Sequence, residues 1–289
     1  MAKTAVDYTK RAPFNKTAFT AAYAAEFKGV PKYNAASIPD LLGMLEMMEQ
    51  DHAITDIRWM AYLLATTFIE SSQTVKIAIL GKNKHGHQVR RTAKVWRNFK
   101  PIDESEHGRK RAYGPAVKLY SLPDGSMRVT EADGKQWTVL ANGHIHGDLQ
   151  DQDHGVDWRH RPSDRYRAAS GMEHQYFGRG YVMLTWWDNY VRTGFMIGVG
   201  LDLLLDPDLA YEPKIAYKII STGMLTGQGF AHRHKFTDYF HGNLTDYVGA
   251  RAMVNGKSGQ HEIAGLAERF EHVLRASSPG GTPIGGSAS

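Results

Sequence analysis

Tyr176-Phe-Gly-Arg-Gly-Tyr-Val-Met-Leu-Thr-Trp-Trp-Asp-Asn-Tyr190 sets a Gly-Arg-Gly turn inside a dense run of aromatic, hydroxyl and amide side chains. Clefts that hold sugars need this mixture, because pyranose rings stack on flat aromatic faces while their hydroxyls require short polar partners. No acid lies near the centre of the stretch. If it lines a cleft, the catalytic carboxylate must come from elsewhere, and Glu70 is the first candidate.

Upstream, Asp56-Ile-Arg-Trp-Met-Ala-Tyr-Leu-Leu-Ala-Thr-Thr-Phe-Ile-Glu70 reads as a helix with Asp56 as its N-cap. At about 100° per residue, Glu70 shares a face with Thr66, Leu63 and Trp59, a mostly apolar stripe. A carboxyl held against apolar surface favours its protonated form, as a general acid near neutral pH requires. The plain alternative is a solvated glutamate at a helix terminus. Residues 15–52 also read as helical, broken at Pro31 and restarting near Ser37-Ile-Pro-Asp40. There Pro39 occupies the first turn ahead of Leu41, Leu42, Met44, Leu45 and Met48.

Beyond Gly81 the helical period fades. Ala116-Val-Lys-Leu-Tyr120, Met127-Arg-Val-Thr130 and Gln136-Trp-Thr-Val-Leu140 read as short strands, with Pro123-Asp124-Gly125 and Asp133-Gly134 as hairpin turns between them. This predicts a three-stranded antiparallel meander inserted in a helical protein. Residues 147–170 read as an irregular loop. Helices return beyond Tyr181: one opened by Pro207 and Pro213, and two more over residues 245–255 and 261–276. The tail, residues 277–289, is flexible by composition.

The 289 residues suffice for one large domain or two small ones, each with a sizeable core. No uninterrupted apolar run is long enough to span a bilayer, and residues 1–29 lack the apolar core of a secretory signal. The expectation is a protein made and folded in a cytoplasm, without stable membrane insertion. The absence of cysteine excludes disulfides, thiolate nucleophiles and cysteine metal sites. A net charge of +5, concentrated at Arg90, Arg91, Lys94, Arg97, Lys100 and the run Arg109-Lys110-Arg111, attracts polyanions: nucleic acid, anionic lipid or cell-wall polymer. No nucleic-acid-binding motif accompanies the cluster, so no nucleic-acid partner is expected. His85 with His87, His144 with His146, and His232 with His234 form His-x-His pairs, and Asp148, Asp151, Asp153 and His154 share one loop. None has a third ligand at zinc spacing, so neither a metal nor another cofactor is expected.

Four motifs occur in order: Leu64-Ala-Thr-Thr-Phe-Ile-Glu70, Phe99-Lys-Pro-Ile-Asp-Glu104, Phe177-Gly-Arg-Gly-Tyr-Val-Met-Leu-Thr-Trp186 and Met253-Val-Asn-Gly256. Together they resemble the chitinases of glycoside hydrolase family 19, and more nearly the related phage and bacterial endolysins of the lysozyme-like superfamily. The resemblance implies a mainly α, α+β fold: a two-lobed, lysozyme-like catalytic domain over residues 1–276, with residues 76–170 as a basic, β-rich insertion. It also implies hydrolysis of β-1,4 bonds between amino sugars by two carboxylates with inversion. By motif position Glu70 would protonate the leaving oxygen and Glu104 would activate water, with Asp103 and Glu106 as competitors for the second role. Thr185 matches the position that helps hold the water. Asn189 and Asn255 match substrate-contacting amides, and Tyr181 and Trp186 the aromatic wall. Arg179 either orients the acid or ties backbone carbonyls together, and Arg251 is expected on one helix face with Asn255.

The sequence departs from the family at Ile69, where the family has His, at Ser71 for Thr, and at Met183 for Gln. The reading is a peptidoglycan hydrolase, monomeric, acting on the wall after release or delivery. A chitinase and a catalytically silent wall-binding module are the alternatives.

Overall fold

The computed structural model describes residues 13–82, 84, 87–147, 166–168 and 173–278. Side-chain caps start its first helices where the sequence predicts. The Asn15 amide oxygen accepts from Ala18 N at 3.0 Å, and α1 follows over Lys16–Phe27. Pro39 sits in the first turn of α2 (Ile38–Gln50), where its missing N–H costs nothing. Asp56 accepts from Arg58 N at 2.8 Å and opens α3 (Ile57–Glu70), whose residues from Met60 to Phe68 are buried all round.

After α3 the chain makes a long antiparallel hairpin, β1 (Gln73–Lys82) and β2 (Gln88–Arg97), within which the sequence analysis assigns no strand. Next come β3 (Ile102–Asp103) and the expected meander, β4 (Val117–Ser121), β5 (Met127–Thr130) and β6 (Gln136–Val139). Gly125 at φ 82° and Gly134 at φ 89° take the left-handed turn positions between these strands. The sheet is wider than three strands. With β7 (Ile145–His146), β8 (Tyr166–Ala168) and β9 (Glu173–His174) its order is β7-β6-β5-β4-β8-β9, antiparallel except for β4 against β8.

The second half holds β10 (Arg179–Gly180), α4 (Trp187–Met196), α5 (Asp202–Leu205), α6 (Pro213–Thr226), α7 (Phe236–Tyr239), the two-residue strands β11 (Phe240–His241) and β12 (Leu244–Thr245), and α8 (Gln260–Ser277). The described residues are thus mainly helical with small sheets, the α+β class that the sequence predicts. Among them, no helix is long and apolar enough to cross a membrane.

The described residues fall into two compact units: those up to Lys100 with those from His261 on, and Pro101–Gln260. In the first, Phe27, Phe68, Phe99 and Phe270 form one aromatic cluster, with ring centroids 4.5 Å apart for Phe27–Phe270 and 6.0 Å for Phe99–Phe270. In the second, Val117, Leu119, Val129 and Val139 are buried on one face of the meander. The buried Glu131 carboxylate accepts from Trp187 Nε1 at 3.1 Å and ties that sheet to α4.

Within residues 76–170, β1 and β2 belong to the first unit and the described chain from Pro101 to the second. One expectation is corrected: there is no α-helix over residues 245–255, where a 3-10 segment, Gly249–Met253, follows β12. Asp246 accepts from Gly249 N at 2.7 Å, a side-chain cap on this short turn. Gly256 at φ 56° and Gly259 at φ 69° then turn the chain away. The expected loop over residues 147–170, apart from residues 147 and 166–168, and the tail beyond residue 278 lie outside the described residues.

Candidate active site

In the second unit, β3 and β10 pair antiparallel, with Arg179 opposite Asp103 and Gly180 opposite Ile102. The pairing brings Glu104, the residue after β3, against Gly178. Glu104 N donates to the Gly178 carbonyl at 2.7 Å, and Gly178 N donates to Glu104 Oε2 at 3.3 Å. A Cβ on residue 178 would stand 3.1 Å from Met183 Cβ and 3.4 Å from Glu104 Cβ, so glycine is what lets these chains approach.

The other oxygen, Glu104 Oε1, accepts from the Tyr113 hydroxyl at 2.7 Å, with Arg111 Nε 3.8 Å away. Burial, reinforced by this hydrogen bond to Glu104, pushes the Tyr113 phenol well above its ordinary value, so it stays a proton donor. Trp186 meets the Tyr113 ring edge-on, centroids 5.5 Å apart. Trp186 at φ 69° and Met183 at φ 52° hold left-handed backbone without being glycine, a strain that tends to gather at functional positions. The Glu104 side chain keeps 21% of its surface exposed, so a carboxylate fixed by two neutral donors still meets solvent.

The two competing carboxylates sit differently. Asp103 accepts from His107 Nε2 at 2.8 Å, and the His107 ring stacks on Phe177 with centroids 4.5 Å apart. Glu106 is exposed, at φ 58°.

Arg179 is buried and engaged inside the protein. Its guanidinium donates to the carbonyls of Gln175 (2.8 Å) and Phe177 (3.4 Å), the Tyr190 hydroxyl (3.3 Å) and Asp208 (2.9 Å), and lies 3.7 Å from the Phe177 ring centre. That is the carbonyl-tying arrangement of the two left open by the sequence. Tyr181, expected in an aromatic wall, is only 2% exposed and shows no open ring face. Asn189 Nδ2 donates to the Thr185 carbonyl at 3.0 Å, a bond from the first turn of α4 back to the segment just before the helix. Arg251 is buried, its Nε donating to the Ser258 carbonyl at 2.8 Å. Asn255 is exposed in the turn after the 3-10 segment, so the two do not share a helix face.

In the first unit, Glu70 is the last residue of α3, above the fully buried Leu63 and Thr66. The residue is half-buried, and its Oε1 is shut off from solvent. Ser71 is buried. Its hydroxyl donates to the Thr67 carbonyl at 2.5 Å and accepts from Phe99 N at 2.9 Å, clamping the end of α3 to the segment after β2.

Tyr113 is the residue of this site that the sequence reading missed. It lies nine positions from Glu104 in a basic run that matches no motif, and its proximity depends on backbone geometry. Glu106, His107 and Gly108 all have positive φ, and a Cβ on residue 108 would meet the Tyr113 ring at 2.8 Å. Among the described residues no group of three or more His, Cys, Asp or Glu is placed to hold a metal ion. His234 Nδ1 faces the Tyr239 hydroxyl at 2.7 Å, while His85 and the acidic loop with His154 lie outside the described residues.

Two plant proteins share a stretch with this chain. The acidic endochitinase pcht28 of Solanum chilense is 44% identical over 55 residues, 19% of this chain and 22% of that protein. Endochitinase 1 of Theobroma cacao is 52% identical over 54 residues, 18% of this chain and 16% of that protein. The similarity thus spans about a fifth of the length of the first relative and less of the second. No family model and no solved structure matches the chain. The relationship to the endochitinases is partial.

Proposed function

We propose that the chain is an inverting glycoside hydrolase that cuts β-1,4 bonds between amino sugars, with peptidoglycan as its substrate. The observation that carries this reading is the Glu104 carboxylate, held by the Tyr113 hydroxyl and the Gly178 amide beside Trp186 yet open to solvent. A base that must take a proton from water needs a fixed orientation and access to that water.

In this reading Glu70 donates its proton to the glycosidic oxygen as the bond to the anomeric carbon breaks. Glu104 removes a proton from the water that attacks the same carbon from the opposite face. Trp186 offers the half-exposed aromatic surface on which a sugar ring stacks. The net charge of +5 favours an anionic wall polymer. Chitin is the second reading, favoured by the endochitinase relatives.

The test is release of new reducing ends from purified sacculi and from chitin by wild type, Glu70→Gln and Glu104→Gln. Release from sacculi by wild type alone, with the product of inverted anomeric form, supports the reading. Release from chitin alone moves the substrate. No release from either, with wall binding retained, means a silent module and points to Ile69 and Met183.

A further inference from the structure

β1 and β2 form a ladder of ten cross-strand pairs, from Gln73 opposite Arg97 to Lys82 opposite Gln88, and among the described residues neither strand joins another sheet. The base of the hairpin is tied to the first unit: Asn34 Nδ2 donates to the Trp96 carbonyl at 2.7 Å, and Arg97 pairs with Asp40 at 3.4 Å. Towards its tip the strands are largely exposed.

Directly opposed residues share a face of a two-stranded ribbon. The register therefore gathers Val75, Ile77, Ile79, Val89, Ala93 and Val95 on one face, with Ile77 and Ile79 still 38% and 39% exposed. The other face carries Lys76 directly across from Lys94 and Leu80, 70% exposed, across from Arg90. No Asp or Glu occurs between Glu70 and Asp103, so nothing on the hairpin neutralises these cations.

Water suits neither face. Like charges directly across a ladder repel, and a long free-edged ribbon with aliphatic side chains in solvent invites aggregation. One environment relieves both, an interface with anionic headgroups above acyl chains. A sugar polymer or a nucleic acid answers the charge alone, because their rings stack on aromatics and the hairpin offers only Trp96.

We propose that the β1–β2 hairpin binds the surface of anionic phospholipid bilayers. The isoleucine face lies toward the acyl chains, with Arg91 on that same face at phosphate level. Lys76 and Lys94 reach the headgroups from the other side of the narrow ribbon along their aliphatic stems. This docking is independent of bond cleavage and holds whether or not the chain hydrolyses a wall polymer.

The test is co-sedimentation of the intact chain with vesicles of phosphatidylglycerol and phosphatidylcholine, against vesicles of phosphatidylcholine alone, at low and high salt. Wild type should bind only the anionic vesicles and lose most of that binding at high salt. Neutralising Lys76 and Lys94 to Gln should weaken binding about fivefold for each charge removed. Ile77→Ser with Ile79→Ser should weaken it further at low salt, Ile79→Ser alone gives a second apolar variant on that face, and Leu80→Ser, on the opposite face, should bind as wild type does. Wild type that ignores anionic vesicles, or binds only sacculi or DNA, overturns the proposal. So does binding indifferent to both apolar variants while their thermal unfolding matches wild type. Glu104→Gln should bind vesicles as wild type does, which separates this result from the fate of the hydrolase reading.

Discussion

The Tyr113 hydroxyl donates to Glu104 Oε1 at 2.7 Å, and it reaches that oxygen only because residue 108 is a left-handed glycine against the ring. Tyr113→Phe keeps the ring packed on Trp186 and removes the donor alone. The expected outcome is a kcat lower by about 10- to 100-fold, the worth of one hydrogen bond to a charged group, with KM and thermal stability close to wild type. An unchanged kcat would show that Tyr113 does not position the base.

Glu104 is distinguished from its neighbours by what holds it. Asp103 is engaged with His107, and Glu106 is exposed on strained backbone. Glu104→Gln should therefore abolish reducing-end release, while Asp103→Asn and Glu106→Gln should leave at least a tenth of it. Loss confined to Asp103→Asn would transfer the base to the Asp103–His107 pair.

The legible parts of this chain are those decided within a few residues. Asn15, Asp56 and Pro39 start their helices as caps and first-turn residues, and Gly125 and Gly134 turn the meander, because each acts on its immediate backbone. The β1–β2 hairpin was not legible, although Val75, Ile77 and Ile79 alternate. Its strands carry cations on the faces and pair through a register that no local signal declares. The same holds within the site. Glu104 is marked by its motif position, whereas its partner Tyr113 is brought in by three successive left-handed residues. Arg179 was readable either as a cleft residue or as a tie between carbonyls. Only its burial and its acceptors separate the two.

Ser71 carries a stability prediction. Its buried hydroxyl accepts from Phe99 N and donates to the Thr67 carbonyl, so Ser71→Ala leaves a buried amide of the aromatic cluster without that acceptor. The expected cost is about 1–3 kcal/mol. Differential scanning calorimetry should show the transition several degrees lower, and a variant melting with wild type would mean that water replaces the hydroxyl.

The stability of the second unit should fall off on both sides of neutrality, for opposite reasons. Burial raises the phenols of Tyr176 and Tyr190 above their ordinary value of 10.0, and Tyr211 is pushed up to about 12, again chiefly by burial. Above pH 10 the unfolded chain releases these protons while the native chain keeps them, so stability present below pH 10 is lost as pH rises through the raised values. On the acid side burial lowers His174 from 6.5. There the unfolded chain takes up a proton that the native chain refuses, so stability falls as pH drops below 6.5 and levels off beneath the lowered value. Tyrosinate absorbance followed with circular dichroism should show that the buried phenols ionise together with unfolding. The melting temperature of His174→Gln should lose part of its decline between pH 6.5 and pH 5. Early, reversible ionisation of all tyrosines near pH 10 with the fold intact would contradict the burial of Tyr176 and Tyr190.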